Sequence, residues 1–265
     1  MKHFKLIFCV IFMFGVSVPA VEAGILITST QESYGQHRDT STSKAYIDKN
    51  SMRVETNEKN REDIIIYRKD RDVFWAIDNK EKTYTELTRN DIKKMKSQMD
   101  DAMKKMEKEL ENMPPEQRAM IEKMMKGKMP AQPKKTIYKK TASGIKINQW
   151  ICDKYEGYSG GKKKKEIWTT DWKKLGFSQE HLDVMEGLSE FFNELTGDNT
   201  PFFKAGSKQW EKEQGYPGIP VKTISYINGR EKYTTEIKEI RKQDFAPSLF
   251  ELPDGLTKKE FPGAR

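Results

Sequence analysis

The chain has 265 residues and a formal net charge of +8, and 33% of its residues are charged while 35% are hydrophobic. This polar balance excludes a protein built of many membrane spans. The aromatic content of 11% supplies enough apolar surface for a packed core, which excludes a wholly disordered chain.

The N-terminus has the pattern of an export signal. Lys2 and Lys5 precede the apolar run from Leu6 to Val18, and Val21-Glu22-Ala23 places small residues at the two positions that a signal peptidase reads. The run is too short for a comfortable membrane span. We therefore predict cleavage after Ala23, which leaves a single periplasmic or secreted domain of residues 24–265. The alternative is an uncleaved anchor.

Cysteine is sparse in the predicted mature chain. Only Cys152 remains after cleavage, so no intramolecular disulfide forms and stability must come from packing. We expect Cys152 to be a buried, inert thiol.

The first part of the mature chain has the pattern of an antiparallel β-meander. Short apolar and polar alternations are joined by polar turns, as at Asp48–Ser51 and Asp78–Glu81. The predicted strands are Ile25–Tyr34, Lys44–Asp48, Met52–Thr56, Ile64–Arg68, Val73–Ile77 and Thr83–Leu87.

A segment of methionine and charge follows, from Asn90 to Met129. Nine of the thirteen methionines lie in it, and Pro114-Pro115 divides it into two amphipathic arms. The pattern predicts a helical hairpin inserted into the sheet. The apolar face of its first arm, at helical spacing, consists of Ile92, Met95, Met99, Met103, Met106, Leu110 and Met113.

The rest of the chain returns to strands around one more helix. Ser178–Leu195 is an amphipathic helix with Ser178 as its N-cap. Ala142-Ser143-Gly144 is predicted as a turn, and Asn228-Gly229 is the strongest short hairpin signal in the chain. The predicted strands are Thr136–Thr141, Ile145–Tyr155, Lys165–Thr170, Pro220–Ile227 and Tyr233–Arg241.

These elements predict an α+β fold. About ten strands exceed what a twisted sheet holds without curling. We therefore expect a curled antiparallel sheet that forms a half-open barrel, with the helical hairpin (residues 90–129) and the second amphipathic helix covering its concave face.

Four short motifs resemble the exported bacterial proteins of domain-of-unknown-function family 4412 (DUF4412). They are the meander end at Asp63–Leu87, MPPEQRAMIEKMM at Met113–Met125, GIPVKT at Gly218–Thr223 and FELPDG at Phe250–Gly255. That family is similar in turn to the periplasmic lipoprotein carriers and their outer-membrane receptor (the LolA/LolB-like superfamily). The resemblance implies an open β-barrel with a helical lid, and it brings no catalytic residues.

The residues themselves also favour a protein that is not an enzyme. His37 and His181 lack the orienting partner and nucleophile that a catalytic base needs, and no serine lies in a nucleophile elbow. A concave apolar sheet under an adaptable methionine-lined helix predicts binding of a hydrophobic or amphipathic ligand, or of a partner's apolar surface. The candidate ligand-binding residues are Met95, Met99, Met103, Met106, Trp75, Trp150, Trp168, Phe191 and Phe192.

Two alternatives stay open. Thioethers are soft ligands that prefer Cu(I), so Met95, Met99 and Met103, or Met120 and Met124, are candidate ligands of a copper site. The other alternative is a structural or interaction protein whose aromatic residues fill a solid core.

The basic charge suggests one further contact. Lys162, Lys163, Lys164 and Lys165 lie in a glycine-rich hairpin loop, and such a cluster attracts anionic membrane head groups. The alternative is a solvated loop without a partner. Nucleic acid is not an expected partner of an exported protein.

Overall fold

The computed structural model describes residues 23–35, 38–59, 61–115, 117, 118, 120, 136–196 and 215–260. The two long helices are α1 (Arg89–Glu111) and α2 (Gln179–Thr196), and short 3-10 helices lie at Trp172–Leu175 and Pro247–Phe250. The strands are β1 Gly24–Tyr34, β2 Arg38–Asp48, β3 Ser51–Glu58, β4 Arg61–Arg68, β5 Val73–Asp78, β6 Thr83–Thr88, β7 Ile137–Ile147, β8 Trp150–Ser159, β9 Lys162–Thr170, β10 Ile219–Ile227, β11 Arg230–Gln243 and β12 Thr257–Lys259.

All twelve strands belong to one sheet, in the order β12-β6-β5-β4-β3-β2-β1-β11-β10-β9-β8-β7. Two antiparallel meanders, β1–β6 and β7–β11, join where β1 pairs with β11, and β12 adds to β6 in parallel. The sheet curls without closing. Asn148 Nδ2, in the β7–β8 turn, donates to the carbonyl oxygen of Ile237 in β11 at 2.8 Å, although β9 and β10 lie between β8 and β11. The predicted curled, open antiparallel sheet is confirmed, with twelve strands among the described residues rather than about ten.

The two faces of the sheet bury separate cores because successive side chains of a strand point to opposite sides. In β5, Phe74 joins the core beneath α2, whereas Val73 and Ile77 join a second core around Phe250 of the C-terminal segment. We call the face that packs against α1 and α2 the inner face, and the opposite face the outer face.

The turn between β7 and β8 differs from the prediction. Ala142-Ser143-Gly144 lies within β7, where two register shifts absorb it, and the chain reverses at Asn148-Gln149. Asn148 has a φ of +51°, a left-handed conformation that asparagine tolerates better than most residues. The predicted strand Ile145–Tyr155 is therefore wrong as a single element. The turn at Asn228-Gly229 is as predicted, with φ values of +53° and +77°.

Strand β2 is also longer than predicted. It begins at Arg38 rather than Lys44, and Thr42 pairs with Thr30 of β1 and Asn57 of β3. The added residues are polar, so apolar alternation does not reveal them. Residues 38–41 pair with β1, and Thr42 and Ser43 pair with both β1 and β3, and this backbone pairing needs no apolar side chain.

Helix α1 begins with a capping box. The Asp91 N–H donates to Thr88 Oγ1 at 3.3 Å, and the Thr88 N–H donates to Asp91 Oδ2 at 2.9 Å. The helix ends at Glu111, just before Pro114-Pro115. Most of the predicted second arm of the hairpin lies outside the described residues. No helix in the described ranges is long and apolar enough to cross a membrane.

Candidate functional site

Four of the predicted ligand-binding residues meet in the inner-face core. Trp150, Trp168 and Phe191 are buried there, and Phe192 packs against that core from α2. Phe191 has no exposed surface, and its ring lies 5.8 Å from that of Tyr67 between ring centroids. This part of the inner face is therefore filled by the protein's own side chains.

Trp75 lies on the other side of the sheet and does not join this group. Its neighbour Phe74 faces inward, so strand alternation turns Trp75 outward, into the core around Phe250. Its indole Nε1–H donates to Glu86 Oε2 at 2.9 Å. The run Val73–Ile77 is apolar almost throughout, so its alternation could not show which residues face α2.

The methionine face of α1 becomes exposed along the helix. Ile92 in the first turn is fully buried, Met95 packs against the inner-face core, and Met99 is 55% exposed. Met106 is half-buried, and Met120 beyond the helix is 65% exposed. The side chain of Met103 and the whole of Met124 lie outside the described residues. The helix is thus anchored at its start and exposes the thioether of Met99 one turn beyond Met95.

A cavity of about 220 Å³ opens beside this anchored end. Leu87 and Met95 form its apolar part, and both also belong to the inner-face core or pack against it. The rest of its lining is polar and comprises Glu86, Asp91, Lys94, Gln98, Lys258, Lys259 and Glu260. The cavity is therefore lined by an apolar patch and by side chains that are mostly charged.

The inner face around Trp168 carries ion pairs that the sequence pattern did not reveal. Glu166, with 10% of its side chain exposed, lies 3.2 Å from Lys154 Nζ and 2.5 Å from Lys163 Nζ. Burial alone would raise the pKa of the Glu166 carboxyl, but its hydrogen bonds to the two lysines outweigh burial and lower it. The Nζ atoms of Lys154 and Lys222 also lie 5.0 and 5.8 Å, respectively, from the centre of the Trp168 ring. Trp168 thus borders a charged surface rather than a purely apolar pocket.

His181 stabilises the start of α2. The Ser178 N–H donates to His181 Nδ1 at 3.0 Å, and the His181 N–H donates to Ser178 Oγ at 3.4 Å. This arrangement resembles a capping box in which histidine replaces glutamate. Ser178 caps the helix as predicted, and His37 lies outside the described residues.

Cys152 is buried in the inner-face core, with 1% of its surface exposed. Burial, with a smaller contribution from the charge of Asp153, raises the pKa of its thiol to about 11. Since the thiolate is the reactive form, we expect dithionitrobenzoate to leave the folded protein unmodified at mildly alkaline pH. In concentrated guanidinium chloride it should titrate one thiol in a chain that lacks residues 1–23, because that chain contains Cys152 but not Cys9. Rapid reaction of the folded protein would contradict this result.

The sequence model of one protein family, described as a domain of unknown function (DUF4412), matches residues 118–256. The match covers more than half of the 265 residues. The chain belongs to the DUF4412 family. The resemblance seen in its short motifs is thereby confirmed. The DUF4412 match includes β7–β11, α2 and the 3-10 helix Pro247–Phe250; it begins beyond α1 and ends before β12.

The solved structures that resemble this DUF4412 chain include the following three. An uncharacterized conserved protein from Thermus thermophilus matches with a TM-score of 0.44, at 6% identity over 89% of this chain and 90% of the other. MucB matches with a TM-score of 0.37, at 6% identity over 89% of this chain and 60% of MucB. A LolA superfamily protein from Nitrosomonas europaea matches with a TM-score of 0.33, at 8% identity over 87% and 91%. No curated protein matches the chain.

Proposed function

We propose that this protein is an exported, non-enzymatic binding protein of one domain that holds a lipid-like, amphipathic molecule against the methionine face of α1. The observation that carries the proposal is the change in exposure along α1, from a fully buried Ile92 to a Met99 that is 55% exposed. Burial of an apolar side chain is favourable, so a helix that leaves thioethers in water is suited to cover an apolar guest.

The cavity beside α1 supports an amphipathic guest rather than a purely apolar one. An acyl chain would contact Leu87 and Met95 and continue towards Met99, while Lys94 at the cavity would pair with an anionic head group. Lys258 is already paired with Glu86 at 2.7 Å. Unbranched methionine adapts to guests of different shape. In this proposal α1 and the residues after Pro115 form a helical hairpin that acts as the lid.

The reactive side chains support a binding role because they serve the fold. His181 hydrogen bonds to Ser178 at the start of α2, and the thiol of Cys152 is buried with a raised pKa. A copper site at Met95, Met99, Met103, Met120 and Met124 stays a prediction. Among the described residues, no group of three or more His, Cys, Asp and Glu side chains is placed to hold a metal ion.

The test is titration of the mature chain with a fluorescent fatty acid. We expect saturable binding, and we expect Met99→Asp to weaken it about ten-fold because a charge replaces an apolar contact of roughly 1.5 kcal/mol. Ile151→Asp is the matched control, since Ile151 is 56% exposed but lies in β8, away from α1.

Native mass spectrometry of protein purified from an exporting host provides an independent measurement. An adduct with the mass of a lipid, displaced by the fatty acid, is the expected result. If the wild-type chain binds no fatty acid and carries no adduct, or if Met99→Asp and Ile151→Asp bind equally well, the proposal is wrong.

A further inference from the structure

Two hairpin turns lie side by side at one end of the sheet. Strand β9 pairs with β10, so the β8–β9 turn, residues 159–162, is next to the β10–β11 turn, residues 227–230. The contact is direct at the base of the turns, where Lys163 Nζ lies 4.7 Å from the centre of the Tyr226 ring. We call this end of the sheet, with the strand residues that flank the two turns, the hairpin rim.

The hairpin rim exposes large apolar side chains. Ile227 at the tip of β10 is 51% exposed, and Tyr233 in β11 is 39% exposed. Ile137, 65% exposed, pairs with Tyr158 and so lies at the same end of the sheet. Three of the six large hydrophobic residues that are exposed in the described part of the chain therefore share this rim.

The same turns are strongly basic. Residues 159–164 and 226–232 contain five lysines and arginines, and Glu231 is their one acidic residue. Lys163 is neutralised by its ion pair with Glu166, and Lys165 is half-buried, with a pKa that burial lowers. Of the four consecutive lysines predicted to contact anionic head groups, only Lys162 and Lys164 are therefore available for that contact. The second turn adds two cations, Arg230 and Lys232.

We propose that the hairpin rim docks this protein on the surface of an anionic phospholipid bilayer. Apolar side chains at protruding tips suit insertion at the boundary between head groups and acyl chains, and the surrounding cations suit the phosphates of anionic lipids. Lysine and arginine keep their charged ends among head groups while their stems lie along apolar surface. This role is separate from ligand binding at α1 and does not depend on it.

The test is flotation of the chain without residues 1–23, whose apolar run would itself bind lipid, with vesicles of phosphatidylglycerol and phosphatidylcholine. We expect binding to vesicles rich in phosphatidylglycerol that falls as salt is added, and little binding to pure phosphatidylcholine. Each basic residue lost is expected to weaken binding about five-fold. Lys162→Glu combined with Arg230→Glu should therefore abolish flotation, and Ile227→Ser combined with Tyr233→Ser should weaken it.

Matched controls carry the same changes elsewhere. Ile151→Ser removes an equally exposed isoleucine at the opposite end of β8, and Lys104→Glu with Lys105→Glu reverses two exposed charges on α1. Both controls should float like the wild type. Absence of wild-type binding, or equal loss in the controls and the rim variants, would overturn the proposal. The proposal is also overturned if the charge changes abolish retention on heparin while the Ile227 and Tyr233 changes leave flotation intact. That result would identify a site that binds any polyanion through charge alone and inserts no apolar side chain into the bilayer.

Discussion

Replacing Phe191 with alanine is expected to lower the free energy of unfolding by about 3–5 kcal/mol, because it removes a fully buried ring and leaves a cavity. The ring contacts both layers of the inner-face core. It lies 5.8 Å from Tyr67 and 6.5 Å from Phe74, both in the sheet, and 5.0 Å from Phe192 in α2. Without it, α2 loses its ring contact with Tyr67 of β4 and one of its two ring contacts with Phe74 of β5.

Urea unfolding followed by tryptophan fluorescence measures this change. Phe192→Ala is the matched control, because it removes the same side chain from the neighbouring, only partly buried position of α2. We expect a clearly smaller loss there. Equal losses for the two variants would show that Phe191 does not hold the helix on the sheet.

Gly218→Ala is expected to destabilise the fold by about 2–4 kcal/mol, from a left-handed backbone and a steric clash together. Gly218 has a φ of +79°, and a Cβ at this position would lie 2.4 Å from the carbonyl oxygen of Thr170. That oxygen belongs to the backbone at the end of β9, so it cannot rotate away. Relief of the clash requires the start of β10 to move from β9.

Gly229→Ala separates the two causes. Gly229 has nearly the same φ, +77°, but a Cβ there would meet nothing within 4 Å. We expect a loss of about 1–2 kcal/mol, the conformational part alone. Chemical denaturation of both variants gives the comparison, and a Gly218→Ala protein no less stable than Gly229→Ala would contradict the close approach at Thr170.

Much of the fold could be predicted because local interactions determine it. The turn at Asn228-Gly229 requires positive φ values, which these residues adopt easily. The spacing of Ile92, Met95 and Met99 predicts a helix, and Pro114-Pro115 marks its end. Strands with polar turns between them give an antiparallel order. For these elements, residues close in the sequence carry the information.

Contacts between residues far apart in the chain determined the features that the sequence pattern did not predict. Trp75 faces away from α2 because Phe74 faces towards it. The packing of Phe74 against Phe191 and Phe192 of α2 selects that face of the apolar strand. The parallel pairing of β12 with β6, and the reach of Asn148 to Ile237, join residues far apart in the chain.

The candidate site also has features that the sequence predicts and features that depend on tertiary packing. The sequence by itself determined that α1 has a methionine face, since helical spacing alone places those side chains together. Only the tertiary structure decided that this face is buried at Ile92 and open to water at Met99, because the sheet and α2 cover just the first turns. It also surrounded Trp168 with Lys154, Glu166 and Lys222, which strand pairing brings together from β8, β9 and β10. Ion pairs and side-chain exposure depend on neighbours across the sheet. They therefore cannot be predicted from the spacing of residues along one strand or helix.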